Sequence, residues 1–132
     1  MYLETDRVRQ LSPVRRKEQE YRSGVIRRIN DAFRSHVDES LMRLSPGILN
    51  LSKGDRNAVL KNLREFADFS PTNDFYGEHD AGQYTADVGT IIWRIDYYDP
   101  TMTRSPKDPA NFASTVRVLT VTLVGDHHST PP

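Results

Sequence analysis

The sequence predicts an α+β domain in which two helices pack on one face of a small, mostly antiparallel sheet, in the order α-β-α-β-β-β. Three observations predict it. Apolar residues recur at three- and four-residue steps in two stretches, Tyr21–Phe33 and Val59–Ala67. Thr90–Tyr98 alternates in period two behind a tight turn, as a strand does. Thr115–Val124 (TVRVLTVTLV) is apolar on both faces, which marks a central strand.

Residues 1–13 are polar, close with Ser12-Pro13 and are expected to form a flexible arm. The domain is expected over 14–124, with 125–132 (GDHHSTPP, including His127 and His128) as a flexible tail. The first helix starts at Val14, with Tyr21, Val25, Ile26, Ile29, Ala32 and Phe33 on its apolar stripe. Arg15, Arg16, Arg22, Arg27, Arg28 and Arg34 are expected off that stripe. Gly24 costs a helix about 1 kcal/mol relative to alanine, so the secure part is predicted to be Val25–Ser35. His36 follows, where a helix C-terminus favours a cation.

Leu41–Leu44 reads as a short strand stopped by the turn signal Ser45-Pro46-Gly47. Ser52-Lys53-Gly54-Asp55 opens a second helix as a capping box, with Val59, Leu60, Leu63, Phe66 and Ala67 apolar. Gln83–Ala86 is a strand, Asp87-Val88-Gly89 a turn, and Thr90–Tyr98 the partner strand. Alternation puts Ile91, Trp93, Ile95 and Tyr97 on one face and Ile92, Arg94, Asp96 and Tyr98 on the other, a partly open one. A polar loop, Asp99 to about Ser114, leads to the last strand.

Composition narrows function by exclusion. A chain of 132 residues fits one domain. Eighteen Lys and Arg balance eighteen Asp and Glu, which argues against a general polyanion binder. The balance hides an asymmetry: residues 1–36 hold nine Lys and Arg against five acids (+4), and the remainder nine against thirteen (−4). With no cysteine, disulfides, thiol catalysis and Cys-ligated zinc are excluded. No apolar run approaches the length of a membrane span and no secretory signal opens the chain, so a cytoplasmic protein without a membrane partner is expected.

Asp68–Asp99 is the informative stretch. It holds seven acids (Asp68, Asp74, Glu78, Asp80, Asp87, Asp96, Asp99) against Arg94, interleaved with the single Trp and four of the six Tyr. Glu78-His79-Asp80 has the right ligand types for a divalent ion, with Asp74, Asp96 and Asp99 as further candidates, which would suit a magnesium nuclease. No metal-binding spacing is present, however, and Asn73, Asp74 and Gly77 are equally turn formers, the preferred reading. Tyr76, Tyr84, Trp93, Tyr97 and Tyr98 could stack on bases, but the surrounding acids repel phosphate, so nucleic acid is not favoured. Trp93 and Tyr97 are expected in the core, leaving Tyr76 and Tyr98 for the surface. Spaced carboxylates can instead engage a protein, including one that handles nucleic acid. An ordinary solvated acidic face competes evenly with that reading.

Three strings, Asn73-Asp74-Phe75-Tyr76-Gly77-Glu78-His79-Asp80, Trp93-Arg94-Ile95-Asp96-Tyr97-Tyr98-Asp99 and Arg117-Val118-Leu119-Thr120, together with Ser105-Pro106, resemble a bacterial family catalogued as domain of unknown function 3768. Ile26–Arg34 is similar to its opening helix, so the resemblance spans roughly Val25 to Val124. Phe75 stands where a proline is usual and Ala81 where an aromatic is usual, and both border the acidic loop. The resemblance implies a small cytosolic product of bacterial plasmids or other mobile elements, with no assigned activity.

The expectation is a binding protein rather than an enzyme. Its candidate partner-binding residues are Asp74, Tyr76, Glu78, His79, Asp80, Arg94, Asp96, Tyr98 and Asp99. No cofactor, catalytic residue or metal ligand is assigned. The alternative is a small metal-dependent hydrolase or nuclease on the same Asp/Glu/His cluster.

Overall fold

Helix α1 (Pro13–His36) runs unbroken for 24 residues in a computed structural model that describes residues 12–74 and 76–126. The expected arm up to residue 11, the tail from 127 with both its histidines, and Phe75 lie outside the described residues. Ser12 and Pro13 belong to the helix rather than to an arm. The Ser12 hydroxyl caps the Arg15 amide, and proline fits the first helical position because the amide it lacks would have no partner there.

The buried stripe of α1 differs from the expected one. Tyr21 is 73% exposed, while Ser23, Gly24, Ile26, Asn30 and Arg34 are buried. Gly24 does not break the helix, because it lies on the packed side. Arg34, expected among the solvated arginines, turns inward. Polar side chains can hold core positions where they meet partners: Ser23 meets Gln19 one turn away, and Asn30 and Arg34 meet groups from distant parts of the chain.

A 3₁₀ turn at Glu39–Leu41 leads into strand β1 (Met42–Leu44). Ser45-Pro46-Gly47 is not a simple turn. Ser45 precedes a one-turn helix α2 (Pro46–Leu49), whose Ile48 is fully buried. A Ser-Pro pair suits a helix start as well as a turn, and Ile48 decides between them by filling the core. Asp126 closes this corner, accepting hydrogen bonds from the Ser45 hydroxyl and the Gly47 amide. Helix α3 (Lys53–Arg64) is capped by Ser52, as expected, and buries Val59, Leu60 and Leu63. It ends earlier than the apolar spacing implied, and Phe66 is buried beyond its last turn.

Strands β2 (Ala81–Ala86), β3 (Gly89–Tyr98) and β4 (Val116–Leu123) complete a four-stranded sheet in the order β1-β4-β3-β2. β2–β3 and β3–β4 are antiparallel, and β1–β4 is parallel, with Met42 opposite Leu119. The sheet is therefore mixed. β4 is central as its two-sided apolar pattern implied.

Ile91, Trp93 and Ile95 join Leu119 and Val121 on the helix-covered face, packed with Ile48, Val59, Leu60, Leu63 and Phe66. On the opposite face Val118 and Thr120 are buried too. Their cross-strand neighbours are Asp96 and Arg94, which pair with each other at 3.0 Å, while Arg43 lies over the Tyr98 ring. Long side chains of the sheet itself thus cover the centre of that face. Among the described residues, no helix is long and apolar enough to cross a membrane.

Candidate functional site

The acidic loop before β2 is shaped by α1. Asn30 Nδ2 donates to the Glu78 carbonyl (3.0 Å) and to the Tyr97 hydroxyl (2.8 Å). Its Oδ1 accepts from Arg117 Nε at 2.7 Å. Arg27 donates to the carbonyl of Gly77, whose φ of 66° suits glycine. One helix therefore holds the loop, β3 and β4 together through side chains that match one another.

His79 is the most constrained residue of the loop. Its φ is 55°, a conformation that costs a non-glycine residue on the order of 1 kcal/mol. Its imidazole stacks on Phe69 with centroids 3.6 Å apart and planes 4° from parallel. Nδ1 lies 2.8 Å from Asp31 Oδ1, and Nε2 3.5 Å from Asp74 Oδ2. The backbone amide of His79 donates to the other Asp74 oxygen at 3.1 Å. Both ring nitrogens thus face carboxylates, which makes the ring a brace. To act as a general base it would have to give up one of those contacts. Behind it, buried Arg34 donates to Asp31 and to the Phe66 carbonyl, with its guanidinium 5.3 Å from the Phe69 ring and 5.2 Å from Trp93.

The carboxylates gather at the start of β2. Burial, with Asp80 nearby, pushes the Glu78 carboxyl above its ordinary value. Asp80 is raised chiefly by burial, and repulsion from Asp74 and Asp96 adds to this. Tyr97, beside Glu78, is pushed up chiefly by burial as well. Glu78 and Asp80 are each half-buried, so the cluster is a recess that water still reaches.

The candidate partner-binding residues therefore divide. Asp74, Glu78, His79 and Asp80 come together with Asp96 close to Asp80. Within this group Asp74 is spent on His79, its side chain only 6% exposed. Arg94 is bound to Asp96 on the opposite face of the sheet. The Tyr98 hydroxyl accepts from Arg43 on that same face. Asp99 stands apart. It braces its own loop, accepting from the Thr101 hydroxyl and the amides of Thr103 and Arg104, and the Thr101 hydrogen bond leads in holding its carboxyl below the usual range. Tyr76 is half-buried in the acidic loop.

Among the described residues, no group of three or more His, Asp or Glu side chains is placed to hold a metal ion. Acids close in sequence point to different partners here.

Asn30, Asp31, Arg34, Phe69 and Arg117 were not among the candidates, yet they build the site. Two signals were available. Ile26, Asn30 and Arg34 share one helical face, so polar residues occupy a core register. Arg117 is a lone charge inside an otherwise apolar strand, and buried charge needs a partner.

Neither a curated protein nor a solved structure matches the chain. A family model does match residues 44–126, well over half the chain, taking in the acidic loop, β2, β3 and β4. The match begins later than the resemblance suggested, so Ile26–Arg34 lies outside it. The chain belongs to the family described as protein of unknown function (DUF3768).

Proposed function

We propose that this protein acts by binding a protein partner through the acidic recess formed by Glu78, Asp80 and Asp96 at the start of β2. One observation carries the reading. Glu78 and Asp80 sit half-buried side by side, and Asp80 is raised chiefly by burial, with repulsion from Asp74 and Asp96 adding to it. Repulsion maintained by a rigid scaffold is relieved when a cationic group arrives, so a basic partner gains both attraction and a faster encounter. Arg27 and Asn30 hold the loop by its backbone carbonyls, leaving the Glu78 and Asp80 carboxylates to the recess, with Asp96 at its border paired to Arg94.

The setting belongs to the proposal too. A bacterial plasmid or other mobile element, and a partner that handles nucleic acid or host defence, rest on the family resemblance. A protein that binds nucleic acid commonly presents the basic surface such a recess would recognise.

The test uses the described domain and its Glu78→Lys, Asp80→Lys, Asp96→Lys triple variant, each immobilised and exposed to lysate of the source organism. Asp74 and Asp99 are left intact because both brace loops. Circular dichroism should show both proteins folded. A protein retained by wild type should be lost from the variant, and lost from wild type at 1 M salt, where screening shortens to about 3 Å. Equal retention by a folded triple variant would place the binding surface elsewhere.

A further inference from the structure

We infer that the free edge of β2 is a docking site for an extended segment of a basic protein, which adds to the sheet as a fifth strand. The inference rests on the acidic-recess reading and specifies how the partner is held.

β2 is an outer strand, and β3 is its sole neighbour. The Ile95 amide donates to the Asp80 carbonyl at 2.7 Å, which makes Asp80 and Ile95 a hydrogen-bonded pair. In an antiparallel ladder such pairs alternate. Gly82 and Tyr84, opposite Trp93 and Ile91, therefore direct their backbone groups toward β3. Ala81, Gln83 and Thr85 direct theirs outward. Among the described residues nothing pairs with these amides and carbonyls. Exposed edges are usually blocked by lysine, proline, a bulge or a covering element. The sequence of β2, AGQYTA, contains no charge and no proline.

Beside this edge lies a cleft of about 590 Å³, lined by Asn73 of the preceding loop, Ala81, Gly82, Gln83, Trp93 and Arg94. A side chain at Gly82 would collide with Trp93, since its Cβ would fall 2.6 Å from the indole nitrogen. That nitrogen is fully buried and has no hydrogen-bond partner. An unpaired buried donor is costly, and a carbonyl in the cleft that displaced the atoms covering it would remove that cost. The cleft thus offers an orphan donor alongside three orphan backbone positions.

Charge selects the occupant. Asp80 and Asp87 flank the edge, and Glu78, Asp74 and Asp96 gather at its Asp80 end. A second copy pairing antiparallel about Gln83 would set Asp80 of each chain within one residue of Asp87 of the other, and like charges across a ladder destabilise it. A strand with Lys or Arg at its ends meets carboxylates instead. Strand addition supplies affinity through the main chain, and flanking side chains supply selectivity.

The probe is a capped peptide of alternating valine and threonine with a lysine at each end. Two relatives serve as controls, one N-methylated at the amides that would face β2 and one with glutamate in place of lysine. Amide exchange and the Trp93 indole N–H signal are followed by NMR. With the lysine peptide, exchange at Ala81, Gln83 and Thr85 should slow by about tenfold or more, and the indole signal should shift. The N-methylated and glutamate peptides should do neither. Gln83→Pro, which removes an outward amide but no bond to β3, should abolish the protection. If that variant fails to fold, the N-methylated peptide decides.

Equal binding of the lysine and N-methylated peptides without edge protection would overturn strand addition and leave the acidic recess standing. Edge protection by the glutamate peptide would overturn the choice of a basic occupant, and the recess reading with it. Failure of the lysine peptide to protect the edge, or a concentration-dependent dimer that Gln83→Pro dissociates, would overturn the proposal.

Discussion

Glu78 and Asp80 show what single residues contribute to this fold. Each carboxyl has a folded-state pKa above its ordinary value, 4.5 for Glu78 and 3.8 for Asp80, so near and above those values the folded protein holds more protons than the unfolded chain. Their contribution to stability is full below about pH 4 and is lost as pH rises through the raised values. Asp108 acts in the opposite sense. Hydrogen bonding from the Ala110 amide leads in lowering it, so its contribution is lost as pH falls. The combined substitution Glu78→Gln and Asp80→Asn should therefore make the domain more stable than wild type at pH 7. The gain should shrink toward pH 4. Urea melts of both proteins across that range measure it, and a difference independent of pH would contradict the assignment. Gly82→Ala tests a different residue-scale constraint. A methyl group there meets the rigid, fully buried Trp93 ring, and overpacking of this kind costs about 1–3 kcal/mol. Thermal unfolding should register the loss.

At the scale of elements, α1 is the connector. It covers the sheet with a face that is polar at Ser23, Asn30 and Arg34; Asn30 ties the acidic loop, β3 and β4 to it, and Arg34 the segment after α3. Asn30→Ala would leave Arg117 Nε and the Glu78 carbonyl without their partner. Arg117 already has one unpartnered buried nitrogen, Nη1, and burial lowers its pKa from the ordinary value. The expected cost is about 1–3 kcal/mol for each group left unsatisfied, partly offset where water enters. The variant should also release the loop around Gly77–His79, seen as faster amide exchange there while β4 stays protected. A stability unchanged within about 0.5 kcal/mol would mean that water replaces Asn30 completely. Helix α3 follows simpler rules. Its Ser52 cap and apolar spacing act locally, so the sequence alone describes it.

At the scale of the whole molecule, the basic first segment and the acidic remainder meet inside the domain in part. Arg22 pairs with Asp108 at 3.0 Å, and Arg27 holds the acidic loop by a carbonyl. Trp93 stands where the segments converge, packed edge-on against Phe66 at 5.5 Å and Phe69 at 6.2 Å, with Arg34 above it. Trp93→Ala should cost about 3–5 kcal/mol and lower the melting midpoint in one cooperative transition. Retention of wild-type melting would mean that the faces of β3 are assigned backwards.

The sequence by itself determined what depends on neighbours along the chain: the class α+β, the cap at Ser52, the β2–β3 hairpin, the alternation that puts Trp93 inside, and the central place of β4. These follow from local periodicity and capping chemistry, which act within a few residues. Tertiary structure decided what depends on partners far apart. It paired β1 with β4 in parallel, made Pro46–Leu49 a helix because Ile48 fills the core, and turned Asn30, Arg34 and Arg117 inward because each meets a donor or acceptor from a distant segment. It also made loop braces of Asp74 and Asp99, paired Asp96 with Arg94 and left Glu78 and Asp80 half-buried together at the start of β2. A carboxylate's role is set by which groups surround it in space, and composition carries no record of that arrangement.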